Sequence, residues 1–316
     1  MLGAHSNSIW AITAYFNPAG YRRRLLNYRV FHQHLGVPLL TVELGFGGRY
    51  DLASGDATKL VQVPGGDVLW QKERLLNIAI ASLPPQVTKV VWLDCDVLFE
   101  QEGWSQRAAA LLDDYPMVQV FSELVRLPRQ ESPGFPIALS GIETRPSLCS
   151  LVSSATDLRT VCRSAPKLPG RLFPGPIGFG WAFRRSLFQQ RGLYDVDILG
   201  GGDVSLLAAL SGCYDIAIDA HRLNDRAQTH FLRWAEPVHE EVDQRVTCVP
   251  ARIFHLWHGD LGDRGYETRY EALSRFLFDP EKDLVLDEHR VWRWASPKQE
   301  MHRYASEYFR RRREDG

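Results

Sequence analysis

The sequence has no surplus of charge, no paired cysteines and no long apolar run, and each lack removes a class of protein. Its 37 Lys and Arg stand against 38 Asp and Glu, so the overall electrostatic footprint of a nucleic-acid binder is missing and only local patches remain. The five cysteines, Cys95, Cys149, Cys162, Cys213 and Cys248, are odd in number, widely spaced and without a Cys-x-x-Cys pair. Neither a disulfide framework nor a zinc site is indicated, and a reducing compartment fits. No window approaches the roughly 18 apolar residues of a membrane span, and MLGAHSNSIWAITAYF opens without a basic lead or a small-residue cleavage pattern. The expectation is a soluble, cytoplasmic chain without an integral membrane segment.

What is present is a core-forming composition. With 45% hydrophobic residues, nine Trp and fifteen Phe in 316 residues, the chain can bury one large core or two moderate ones. The first 125 residues alternate between two textures. Ile9 to Tyr15 reads as a strand and Asn17-Pro18-Ala19-Gly20 as a turn; YRRRLLNYRVFHQHL follows as a helix with Leu25, Leu26 and Val30 on one face. PLLTVEL and KLVQV read as strands, WQKERLLNIAIASL as a helix stopped by Pro84-Pro85, and KVVWLDCDVLF as a strand buried on both faces. This alternation predicts a doubly wound α/β fold. From Arg126 to Gly175 the chain is rich in Pro, Gly and Ser, the texture of a functional loop or lid.

The buried run Val90 to Leu93 leads straight into Asp94-Cys95-Asp96. Side chains alternate along a strand, so both carboxylates point the same way at the end of a central strand, where open α/β sheets bind ligands. Two such carboxylates repel unless a cation lies between them and an anionic partner, and a divalent metal bridging to a diphosphate satisfies every charge. An Asp-x-Asp alone is a weak signal, and Asp195-Val196-Asp197 repeats it in a loop-like setting. IFHLWHG offers a further ligand. As a strand it would send His255 and His258 to opposite faces, so that only one reaches the site. A histidine joining two aspartates shifts preference from Mg²⁺ toward Mn²⁺.

ILGGGDVSLLAAL places Asp203 where a helix begins, after three glycines. It reads either as a plain helix cap or as a general base kept ionised by the helix N-terminus. At the far end, Arg310 to Arg313 read as a solvated helix end, with a peripheral contact to a membrane surface or polyanion as the alternative.

In order along the chain, TAYFNP, WQKERLLNIA, WLDCDV, GFGWAFRRSLF, GLYDVDILGGGD and FHLWHG resemble the successive elements of GT-A fold glycosyltransferases, in particular the β-1,4-galactosyltransferase-like group. The resemblance spans most of residues 8 to 270. It implies a mixed, mostly parallel sheet flanked by helices, and transfer of a sugar from a nucleoside diphosphate donor, a uridine diphosphate sugar, to an acceptor hydroxyl with inversion. Mn²⁺, with Mg²⁺ as the alternative, would be held by Asp96 and His258, with His255 as second choice. Asp94 would contact the ribose or the metal and its water. Phe16, Asn17, Lys72, Arg74, Gly180 and Trp181 would line the donor site, and Asp203 would be the catalytic base. Leu199 and Gly202 replace a Trp and a Glu of the family's loop, and the secretory anchor of its animal members has no counterpart.

The implied division is a domain over 1–270, with a nucleotide-sugar-binding half at 1–125, the lid at 126–175 and an acceptor and catalytic half at 176–270. A helical appendage with a basic tail follows at 271–316. The acceptor stays open among glycan, lipid-linked sugar, protein and modified nucleic acid. Two rivals share parts of this pattern. A sugar-nucleotide pyrophosphorylase would need a Gly-rich triphosphate loop after the first strand, which TAYFNPAGYRRR is not. A non-catalytic glycan- or nucleotide-sugar-binding module would keep Trp181, Trp234 and Trp257 as platforms and lose the acids.

Overall fold

The chain's computed structural model describes residues 9–129, 137, 142–153, 155–164 and 172–316. The first half runs β1 (Ile9–Phe16), α1 (Arg22–His34), β2 (Leu39–Gly45), β3 (Lys59–Pro64), α2 (Lys72–Ser82), β4 (Lys89–Leu93), β5 (Val97–Phe99) and α3 (Trp104–Asp114). Then come β6 (Met117–Gln119), β7 (Glu123–Arg126), β8 (Thr144–Pro146), α4 (Leu158–Arg163), β9 (Gly180–Arg184) and α5 (Arg185–Gln189). The second half continues with α6 (Gly202–Ser211), α7 (Tyr214–Ala220), α8 (Asp225–Val242), β10 (Val246–Cys248), β11 (Arg252–His255) and α9 (Arg269–Ser274). It closes with α10 (Pro280–Asp283), β12 (Leu284–Leu286), β13 (Trp292–Trp294) and α11 (Gln299–Arg311).

Seven strands form the main sheet in the order β10-β6-β9-β4-β1-β2-β3. All run parallel except β9, which is antiparallel to both β4 and β6. The expected mixed, mostly parallel sheet between helical layers is the fold observed. Strand periodicity accounts for the layers. On β1, Ile12, Ala14 and Phe16 pack with α2 and α6, while Ile9, Ala11 and Tyr15 pack with α1 and α3. Each fully buried large apolar side chain contributes about 1.5–3 kcal/mol, which is why the doubly covered strands read as unbroken apolar runs.

Two local readings change. The helix α1 buries Asn27, Tyr28 and Phe31 rather than a face of Leu25, Leu26 and Val30. The aromatic rings reach further over the sheet, and the Tyr28 hydroxyl finds partners in Thr41 Oγ1 and the Asp56 carbonyl, each at 2.7 Å. KVVWLDCDVLF is two strands, not one: β4 ends at Leu93, and β5 joins a second sheet in the order β5-β11-β7-β8. Within the expected lid the chain forms α4, capped by Asp157, whose carboxylate accepts from Thr160 N–H at 2.7 Å. The rest of the expected lid includes 130–136, 138–141 and 165–171, which lie outside the described residues.

Near the end of the chain α11 contributes Met301, Ala305, Tyr308 and Phe309 to the main core. Among the described residues no helix is long and apolar enough to cross a membrane.

Candidate active site

The turn between the two sheets builds the site. Just past β4, Asp94 N–H donates to the Phe179 carbonyl at 2.9 Å, and the Asp96 carbonyl accepts from Leu256 N–H at 2.8 Å. The second bond clamps the acidic turn to the end of β11. As a result Asp94 and Asp96 diverge instead of sharing one strand face.

Asp96 faces both histidines. Its Oδ2 lies 3.1 Å from His258 Nε2, its Oδ1 lies 3.7 Å from His255 Nε2, and the two Nε2 atoms are 3.1 Å apart. Strand alternation fails here because β11 ends at His255, so His258 returns from the following loop to the same point. Burial holds both imidazoles below their ordinary range, His258 at about 3 and His255 well below it, with the Arg264 guanidinium adding to the effect. Burial and the Asp94 charge push the Asp96 carboxyl up to about 7.

Asp96, His255 and His258 bring one ligand atom each to within 4.8 Å of one another. These residues fit a divalent transition metal on the structure's own terms. Two neutral imidazoles and one carboxylate are ligands such ions accept, and Asp96 Oδ1 is buried without a hydrogen-bond partner, an arrangement that is costly unless a cation meets it. Arg264 Nη2 stands 2.9 Å from His258 Nε2.

Asp94 turns the other way. Lys72, at the start of α2, places Nζ 3.2 Å from Asp94 Oδ1 and 3.4 Å from both Asp203 oxygens. Asp203 is not the helix cap; that position is Gly201, in the left-handed region at φ 113°, and Asp203 lies in the first turn of α6 with its carboxylate on Lys72. Burial and Asp94 raise the Asp203 carboxyl, and Lys72 opposes them. Beside them Glu73 is buried and its carboxyl is pushed up to about 8, chiefly by desolvation.

Both groups open on one cleft of about 780 Å³, lined among others by Phe16, Lys72, Asp94, Asp96, Asp203 and His258. That volume suits a nucleotide sugar. Four expected donor contacts lie elsewhere. Arg74 pairs with Asp195 at 3.0 Å and lines a separate cleft with Asn77 and Trp234. Asn17 donates to Asp51 at 3.0 Å and to the Tyr21 carbonyl at 3.0 Å, holding the turn before α1. Gly180 is packed between Leu93 and Val120. Trp181 is fully buried, its indole N–H on the Ile177 carbonyl at 2.7 Å.

No protein-family model matches the chain, and neither does any curated protein sequence. Solved structures do resemble it. Glucosyl-3-phosphoglycerate synthase from Mycobacterium tuberculosis, in complex with Mn²⁺, UDP and phosphoglyceric acid, is 14% identical over 93% of this chain and 91% of that one, with a TM-score of 0.41. The catalytic domain of Drosophila β1,4-galactosyltransferase 7 is 13% identical over 77% and 67%, with a TM-score of 0.30. A 4-diphosphocytidyl-2C-methyl-D-erythritol synthase from Anaerococcus prevotii is 11% identical over 96% and 97%, with a TM-score of 0.33.

Proposed function

We propose that the chain is a metal-dependent glycosyltransferase of the GT-A type, transferring a sugar from a uridine diphosphate donor to an acceptor hydroxyl with inversion. The observation that carries this reading is the closure of Asp96, His255 and His258 on one point at the wall of the cleft that also holds Lys72, Asp94 and Asp203. The ordered motifs shared with the β-1,4-galactosyltransferase-like group support the same reading. Asp96, His255 and His258 would hold Mn²⁺, with Mg²⁺ the weaker fit to two imidazoles; the ion would supply the charge that makes a diphosphate a good leaving group.

The chain's own residues account for the rest. Phe16 offers an aromatic wall to the donor end of the cleft, braced by the Arg24 guanidinium 5.5 Å from its ring. Asp203 accepts the proton of the attacking hydroxyl. Its desolvated carboxylate is a stronger base than an exposed one, and Lys72 keeps it ionised until the acceptor arrives. Single displacement requires one base and no covalent intermediate, so the product is inverted at the anomeric carbon. The acceptor stays within the sugar, lipid-linked, protein or nucleic-acid hydroxyls.

The test is a panel of nucleotide sugars incubated with and without Mn²⁺, with nucleoside diphosphate release measured. Release from a uridine diphosphate sugar only with Mn²⁺ is expected. Pyrophosphate release from a nucleoside triphosphate and a sugar phosphate would instead identify a pyrophosphorylase. Binding without any turnover would identify a non-catalytic module.

A further inference from the structure

The segment that follows α11 does not trail into solvent. Arg312 and Glu314 are 4% and 1% exposed, so one arginine of the expected solvated basic end is interior, while Arg310, Arg311 and Arg313 stay exposed. The Glu314 carboxylate takes Arg24 in a two-point pair, Nε to Oε2 and Nη2 to Oε1, each at 2.9 Å, and accepts from Arg312 Nε at 2.6 Å. Its Oε1 then stands 3.6 Å from His258 Nδ1, an ion-pair separation longer than a hydrogen bond, and Arg264 Nη2 lies 3.3 Å from the same nitrogen. That is the ring nitrogen facing away from Asp96.

Independent contacts fix the segment there. The N-terminus of α1 has no cap of its own, and the Asp315 carboxylate supplies one, accepting from Arg22 N–H at 3.1 Å and Arg23 N–H at 2.7 Å. Gly259, one residue past His258 and at φ 89°, lets the segment approach: a Cβ there would lie 2.7 Å from the Arg312 carbonyl oxygen. The segment and the loop bearing His258 are therefore built against each other.

The geometry points to Glu314 as the positioning residue of the candidate metal centre, a carboxylate that orients His258 from behind and offsets the cations gathered around it. This rests on the metal reading of Asp96, His255 and His258. A ligating imidazole that coordinates through Nε2 must carry its proton on Nδ1, and a carboxylate on that side fixes the tautomer, the ring angle and the basicity of the coordinating nitrogen. The charge balance points the same way. Arg24, Arg264 and Arg312 all line the cleft near His258; without Glu314 they would oppose a dication at short range in a dry setting.

The test is calorimetric titration of the full chain with Mn²⁺ alone, without nucleotide, alongside a thermal melt of each variant. Glu314→Gln should weaken Mn²⁺ binding by about 10- to 100-fold while the wild type binds. Glu314→Asp keeps the charge for both arginines but retracts it from the ring, so its affinity should fall between the two, and it serves alone if Glu314→Gln does not melt cooperatively. Asp315→Asn loosens the same segment without touching His258 and should lower the melting temperature while leaving Mn²⁺ affinity unchanged. A folded Glu314→Gln or Glu314→Asp protein that binds Mn²⁺ like the wild type would overturn the assignment, as would an equal loss in Asp315→Asn. If the wild type itself does not bind Mn²⁺, the metal reading falls instead.

Discussion

Glu73 and Gly202 share one space. The Glu73 carboxyl lies where a side chain at residue 202 would begin, so that any Cβ built there collides with its Oε1. An acid reaching in from α2 thus takes the space that a side chain at the start of α6 would need. Gly202→Ala should destabilise the protein by about 1–3 kcal/mol through overpacking, and Glu73→Ala should relieve most of that cost in the double variant. Urea denaturation of the two single variants and the double variant measures the coupling. Additive effects would mean that the two residues do not compete.

Glu73 also makes stability depend on pH. Burial raises its folded pKa from 4.5 to about 8, so between those values the unfolded chain releases a proton that the folded chain keeps. The stability present below pH 4.5 is lost as pH rises toward 8, by up to about 1.4 kcal/mol per unit. Glu73→Gln carries no such proton. Its stability relative to the wild type should therefore climb from pH 5 to pH 8 and level off above, as read from denaturation at a series of pH values; a constant difference would contradict the buried neutral acid.

Asp203→Asn keeps the side chain's size in the first turn of α6, so fold and donor binding should survive. Turnover should fall by about a hundredfold or more, since a positioned base contributes roughly 10² to 10⁴. The loss should fall on kcat with little change in donor KM. A stable variant of near wild-type rate would remove Asp203 from the chemistry.

Much of the fold and part of this site were legible in the sequence, for reasons that also explain the misses. The apolar run into Asp94 and Asp96 marked the end of a central strand because burial on both faces leaves no polar positions. Alternation then assigned the two acids to one face, and His255 and His258 to opposite faces, by extending each strand through residues that form turns. Lys72 and Arg74 were grouped by motif, yet residues two apart on a helix are about 200° apart around its axis, so only Lys72 reaches the cleft. Trp181 was read as a contact and is core, which an aromatic in a buried strand signals equally well. Glu314 left no local trace, because its partners Arg24 and His258 are 290 and 56 residues away in sequence.

The convergence of both histidines on Asp96 changes what mutation should do. His255→Ala and His258→Ala should each raise the Mn²⁺ concentration needed for half-maximal activity, rather than His258→Ala alone. Initial rates across a Mn²⁺ series on the two variants check this. One variant with a wild-type Mn²⁺ requirement would leave that histidine as a packing residue against Phe179 or Arg264.

A nucleotide sugar should bind this cleft only through a cation held by Asp96, His255 and His258. Calorimetric titration with a uridine diphosphate sugar tests it directly, in Mn²⁺ and then in chelator. Binding in Mn²⁺ should be lost or weakened by at least about tenfold in chelator, since the ion would be what joins Asp96, His255 and His258 to the diphosphate. Equal affinity in the two conditions would contradict the claim.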